Sequence, residues 1–308
     1  MASNPLVSIL INNYNYETYL KQAIDSALDQ TYTNIEVIVV DDGSKDNSRQ
    51  IIEAYGSRII PIFKENGGQA SAFNAGFLQA TGDIICFLDS DDLFHSKKIE
   101  AVVESFSRHP DIEWHFHPLK FVDQQGQTLV EKAYSENSGI YDLRTQLRRG
   151  KLRGCLPLDN IATSCMSFKH TLLKKILPMP EEIRITSDDY IKYAALGLTP
   201  GFVLLEEVAS QRHHGSNHYT QSPKANPNNQ KRKIVAEVLL LTAYWLRLNF
   251  PHLSSFCNKI FAIGCAIRIQ TGASDKRYTS LVDDYLSTSA PLERLNIRLR
   301  TLFNLLFR

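Results

Sequence analysis

The chain is short of most features that would settle its class at once. No uninterrupted apolar stretch approaches the ~18 residues a membrane-spanning helix needs, so no spanning helix is expected. The five cysteines, Cys86, Cys155, Cys165, Cys257 and Cys265, form no CxxC pair and are odd in number. A zinc site or a disulfide framework is therefore not expected, and a reducing, cytoplasmic setting is. The opening "MASNPLVSIL" lacks a basic segment and a long apolar core, so it does not read as a secretion signal. Charge is balanced: 34 Lys and Arg stand against 33 Asp and Glu, a formal net charge of +1. That offers no electrostatic footprint for nucleic acid. There is no GxGxxG, no Walker lysine, no internal repeat and no heptad pattern.

What is present fits a globular chain of 308 residues, 43% hydrophobic and 22% charged. Over the first hundred residues short apolar runs alternate with helical stripes. "VSILI" (7–11), "IEVIVV" (35–40), "IIPIF" (59–63) and "DIICFL" (83–88) suit strands buried on both faces. Between them Leu20, Ile24 and Leu28, then Ile51, Ile52 and Tyr55, then Phe73, Phe77 and Ala80 mark helix faces. Ile99, Val102, Val103 and Phe106 follow at i, i+3, i+4, i+7. This alternation predicts an α/β chain with a mostly parallel sheet and helices on both faces.

Ligands bind such sheets outside the carboxyl ends of the strands. Polar clusters fall there: "NNYNYE", "DDGSKDNS", "KENGGQAS" and "DSDD". The last crowds Asp89, Asp91 and Asp92 together. Like charges this close repel and raise each other's proton affinity. A shared divalent cation relieves them; a solvated turn capping the next helix is the plainer reading.

The stretch 110–225 is less regular. "TSCMSFKHTLLKKILPMPE" reads as a strand and a short helix, "ITSDDYIKYAAL" (185–196) as a helix from near Ser187, and "GFVLLEEVASQRHHGSN" (201–217) as a strand entering a polar loop. "SPKANPNNQ" (222–230) reads as a boundary. A helical pattern follows it.

Five segments in order, "VSILINNYNYETYLKQAIDSALDQTY", "IEVIVVDDGSKDNS", "NGGQASAFNAGFLQATGDIICFLDSDD", "SDDY" and "RHHGSN", resemble glycosyltransferase family 2, inverting enzymes of the GT-A fold. The resemblance spans about residues 6–217. It implies a nucleotide-sugar-binding half (1–110) and an acceptor-binding half (111–225), and the helical pattern past the boundary predicts a helical extension (226–308). It implies transfer of a sugar from a nucleotide-diphosphate donor, a UDP-sugar foremost, to a hydroxyl of a carbohydrate or glycoconjugate, with a divalent metal, Mn²⁺ or Mg²⁺. Asn12 and Tyr14 are implied at the base, and Asp42 on the base or ribose, with Asp41 structural. Gly68 and Asn74 are implied near the diphosphate, where Phe73 stands in place of the family's usual arginine. Asp91 is implied at the ribose and metal, Asp92 and His214 at the metal. A catalytic base is implied in "SDDY": Asp188 is favoured and Asp189 is the alternative, although acids at a helix start are also favoured by the helix dipole. Two other readings stay open, a metal-dependent nucleotidyltransferase and an inactive nucleotide-sugar-binding protein. The helix at 292–308 gathers Leu292, Leu295, Leu299, Leu302, Phe303 and Leu306 on one face. It suits peripheral contact with a membrane, or packing on the body or in a dimer.

Overall fold

The structure is a computed structural model, and residues 4–130, 134, 136–158, 161–214 and 229–307 are described. Among the described residues, twelve strands form two sheets. β1 (Val7–Asn13), β2 (Ile35–Asp41), β3 (Ile60–Phe63) and β4 (Ile84–Asp89) are the four expected strands, but β3 is not buried on both faces as expected, because it forms the edge of its sheet and its residues are exposed or half-buried. β5 (Leu93–Phe94), β6 (Trp114–Phe116), β7 (Lys120–Val122), β8 (Thr128–Val130), β9 (Gly139–Tyr141), β10 (Met166–Lys169), β11 (Gly201–Val203) and β12 (Ala209–Arg212) follow. The helices are α1 (Glu17–Leu28), α2 (Ser48–Glu53), α3 (Gln69–Gln79), α4 (Lys98–Arg108), α5 (Arg144–Arg148), α6 (His170–Leu173), α7 (Asp188–Leu198), α8 (Asn229–Asn249), α9 (Ser254–Gln270), α10 (Lys276–Ser287) and α11 (Pro291–Phe307).

The larger sheet runs β3-β2-β1-β4-β10-β6-β11-β9. β1 pairs in parallel with both β2 and β4, and β2 with β3. The apolar runs give this sheet its centre: Ile9, Ile11, Val39, Ile85 and Leu88 are shut off from solvent. α3 lies over Leu10, Val40 and Phe87; Gly76 lets it approach Val40 and Leu10, and Phe73 meets Phe87 edge-on at 4.9 Å. The chain steps outward from β1 to β3, then returns to place β4 on the other side of β1. The carboxyl ends of β1 and β4 therefore flank the topological switch, where open α/β sheets bind ligands.

The sequence predicted one strand leading into a loop over 201–217. The structure breaks it in two. β11 joins the large sheet between β6 and β9, while β12 joins the smaller sheet, β5-β12-β7-β8. The polar "EE" of 206–207 sits in the crossing between them. Most of the predicted boundary at 222–230 lies outside the described residues, as do 215–217 of the motif "RHHGSN". From Asn229 onward the chain is helical as expected. Phe261 stacks on Tyr285 at 3.7 Å, and Arg247 lies over the same ring while donating to the Tyr285 and Thr288 carbonyls. All five cysteines are free thiols. Among the described residues, no helix is long and apolar enough to cross a membrane.

Candidate functional site

The site begins with register. Asn12 and Asp89 are partners at the ends of β1 and β4, and the Asn12 amide donates to Asp89 Oδ1 at 3.1 Å. The chain after Asp89 turns at once, closed by the Asp92 N–H on the Asp89 carbonyl at 3.0 Å. "DSDD" is thus a turn, as its composition allows, but not a solvated helix cap. Asp92 is buried, and the next helix starts only at Lys98.

Two distant segments hold this turn. β10 runs antiparallel to β4 with Ser167 opposite Cys86, so continuing the register brings Ser164 opposite Asp89. The Ser164 hydroxyl donates to Asp92 Oδ2 at 2.6 Å and accepts from the Asp89 N–H at 3.1 Å. Its carbonyl accepts from the buried Lys98 ammonium at 2.6 Å, which also lies over the Phe94 ring. Burial draws the Lys98 pKa down to about 8. From β12, the Arg212 N–H donates to Asp92 Oδ1 at 2.9 Å. Its guanidinium reaches the Asp91 carbonyl and Gln22 and lies over Tyr19. One turn is therefore bolted to two distant parts of the chain and, through Arg212, tied to α1.

His214 follows. Its Nε2 lies 3.1 Å from Asp91 Oδ2, and its ring stacks on Tyr19 at 4.5 Å with Tyr16 edge-on. His213 points elsewhere, against Phe121. Among the described residues no three His, Cys, Asp or Glu are placed to hold a metal by themselves. The donor set does fit a cation completed by diphosphate oxygens. A carboxylate and an imidazole face each other, and hard cations of this kind commonly take one or two carboxylates plus substrate phosphates. Both oxygens of Asp92 accept hydrogen bonds that brace the turn, and Asp91 and His214 lie side by side next to it.

The acids are crowded. Burial, then Asp91 and Asp188, push the Asp89 carboxyl up to about 7. Burial, then the charges of Asp91 and Asp89, raise Asp92 well above the usual range. Asp188 opens α7, and burial, then Asp189, push it up to about 6. Asp189 pairs with Lys192 one turn on. Burial works against the Lys192 charge, yet Asp189 keeps its proton bound and its pKa raised. The two acids of "SDDY" are therefore unlike: one is spent on a lysine and the other is not. Gln69, at the start of α3, positions this helix by accepting from the Ser187 N–H at 2.8 Å.

The other predicted residues take distinct places. Tyr14, just past β1, is exposed. Asp42 is buried and accepts from Lys64 Nζ at 2.7 Å, Asn66 Nδ2 at 3.1 Å, and the N–H groups of Gly67 and Gly68 at 2.9 and 2.7 Å. Asp41 holds Asn13 and Ser44. Gly68 has φ +90°, and a Cβ there would lie 2.7 Å from the Arg184 carbonyl. The close approach its missing side chain allows is made by Arg184. Asn74 exchanges both amide atoms with the Met179 backbone, at 2.8 and 2.9 Å. It joins α3 to the segment before α7. Ser164, Lys98, Arg212 and Gln69 escaped the sequence reading, because each acts through a partner tens of residues away.

The family model for glycosyl transferase family 2 matches residues 8–177, more than half of the chain. An uncharacterized glycosyltransferase of Nostoc sp. is 35% identical over 243 residues, covering 77% of this chain and 74% of that protein. One from Rickettsia typhi is 52% identical over 216 residues, 68% of this chain and 65% of that protein. Among solved structures, S. aureus TarS 1–349 in complex with UDP-GlcNAc superposes with a TM-score of 0.65 at 18% identity, covering 97% of this chain and 89% of that one. The mannosyltransferase PcManGT from Pyrobaculum calidifontis, in complex with GDP-Man and Mn²⁺, gives 0.50 at 16% identity, with 99% and 88% covered. At these identities the structural likeness shows the fold alone.

Proposed function

The chain belongs to glycosyltransferase family 2, and we propose that it moves a sugar from a nucleotide-diphosphate donor, a UDP-sugar first among candidates, to a hydroxyl of a carbohydrate or glycoconjugate, with inversion. The observation that carries the proposal is the contrast within "SDDY" beside the switch point. Asp188 is buried near Asp89 with its carboxyl held at about 6, while Asp189 is tied to Lys192. A base should have a pKa near the working pH and should be free to take a proton.

Asp188 removes the proton of the acceptor hydroxyl, whose oxygen attacks the anomeric carbon. The bond from that carbon to the diphosphate oxygen breaks, and the nucleoside diphosphate leaves with the electron pair. Asp188 then releases its proton to solvent. A divalent cation, Mn²⁺ or Mg²⁺, supplies charge neutralisation at the leaving diphosphate when bound. Asp91 and His214 are the residues that would hold it, on a turn fixed by Asp92. Tyr14 offers an exposed ring for stacking on the base, and Asn12 lies at the same strand end. Asp42 is the candidate contact for the base or ribose, and Gly68 and Asn74 are candidates near the diphosphate. The UDP-GlcNAc bound by TarS and the GDP-Man and Mn²⁺ bound by PcManGT support this class of donor and cofactor.

The test is thermal melting with UDP, GDP or dTDP, each with and without Mn²⁺ or Mg²⁺. UDP should raise the melting temperature more with a cation than without, since a ligand that binds only the folded state stabilises by mass action. If no nucleotide shifts melting with either cation, the donor site is wrongly placed.

A further inference from the structure

α11 is docked the wrong way round for a helix facing water. Its inward side carries Glu293, Ile297, Thr301 and Asn304, three of them polar, with Leu305 half-buried at the edge. Glu293 accepts from Asn258 of α9, and Thr301 reaches the Ala262 carbonyl of the same helix. Its outward side carries Leu292, Leu295, Leu299, Leu302, Phe303 and Leu306, each more than half exposed. At 100° per residue these six fall within an arc of roughly 100° opposite Ile297. The helix is about 25 Å long at 1.5 Å per residue, so the apolar face is a continuous ridge, well beyond the scattered leucines of an ordinary surface.

We infer that this ridge lies in the interface of an anionic lipid surface. Charge selects that occupant. Arg298 borders the ridge on one side and Arg300 on the other, and the only acid of α11, Glu293, is turned inward onto α9 and α8. Guanidinium groups at the two edges of an apolar face stand level with lipid phosphates when the face is immersed. A second copy fits worse. Two ridges crossing at their midpoint, Leu299, would bring the Arg298 and Arg300 pairs of both copies together. The longest undescribed stretch, 215–228, has one large apolar residue, Tyr219, and so offers no apolar face of matching length. This inference is independent of which sugar is moved.

The test is co-sedimentation of the full chain with phosphatidylcholine vesicles, with and without phosphatidylglycerol, alongside its mass in solution by light scattering. Wild type should be monomeric and should pellet with the anionic vesicles. Leu299→Glu with Phe303→Glu should weaken partition at least about tenfold, while melting is unchanged because both positions are exposed. Arg298→Gln with Arg300→Gln should weaken it about fivefold per arginine on anionic vesicles only. Three results overturn the inference: no binding to any vesicle, equal binding to neutral and anionic vesicles, or a dimer that the Leu299→Glu, Phe303→Glu variant dissociates.

Discussion

Replacing Asp188 with asparagine should make the protein more stable and nearly inactive, and the two effects have separate origins. In the folded chain burial, then Asp189, raise this carboxyl from 3.8 to about 6. In the unfolded chain it stays near 3.9. Between those values the folded chain keeps a proton that the unfolded chain has released, so folding is favoured by low pH. The contribution is therefore most favourable below about pH 4, falls as pH rises, and levels off above about 6. At about 1.4 kcal/mol per unit, ionised Asp188 costs the fold about 3 kcal/mol at neutral pH and roughly half of that at pH 5. Asparagine keeps the size and one acceptor oxygen and removes the charge. The Asp89 carboxyl, held up in part by Asp188, is relieved as well; the attraction to Lys192 is already contained in the net rise to about 6. In cation-free calorimetry Asp188→Asn should melt about 5 °C above wild type at pH 8, with the gap narrowing toward pH 5. Nucleoside diphosphate release should fall by about 10²–10⁴. A variant that melts lower than wild type at pH 8 would refute the burial argument, and one with full turnover would refute the base assignment.

Asp189→Asn should show the reverse pattern. It leaves the largely buried Lys192 without its partner, so stability should drop by about 1–3 kcal/mol, while turnover falls by much less than a lost base would cause; a greater loss than in Asp188→Asn moves the base to Asp189. Gly68→Ala forces a Cβ to 2.7 Å from the Arg184 carbonyl at φ +90° and should cost about 2 kcal/mol or more by denaturant melting. Gly56→Ala, at φ +56° with nothing within 4 Å, should cost only about 1 kcal/mol, and equal losses would show that backbone strain alone is at work. Ser164→Ala removes the donor to Asp92 and the acceptor of the Asp89 N–H, so stability should fall by about 1–3 kcal/mol. Cation-dependent UDP binding in calorimetry should weaken with it; unchanged binding would confine Ser164 to folding.

The parts of this molecule legible in the sequence are those whose cause is local. A buried parallel strand must be apolar along its length, so "VSILI" and "DIICFL" mark β1 and β4, and the helix stripes between them mark the crossovers. A strand end at a switch point must turn and meet solvent, so the polar clusters mark the site. Local pattern also found both acids of "SDDY", but it could not tell them apart. Their difference is made by Lys192, three residues on, and by burial that depends on the whole fold. The braces of the site left no local signal at all. Ser164 is a serine in "IATSCMSF", polar in a way that any loop before a strand could be. It reaches Asp92 only because β10 pairs antiparallel with β4 in one register, and a shift of one residue would face it the other way. Arg212 is equally mute in "SQRHH" until β12 sets its N–H on Asp92. Asn74 shows the converse. The motif around it implied a place near the diphosphate, and its amide also joins the Met179 backbone 105 residues away, a bond no local pattern signalled. A motif therefore marks candidate acids more readily than the groups that position them. Those groups answer only to geometry, since any residue with a donor in the right place would serve.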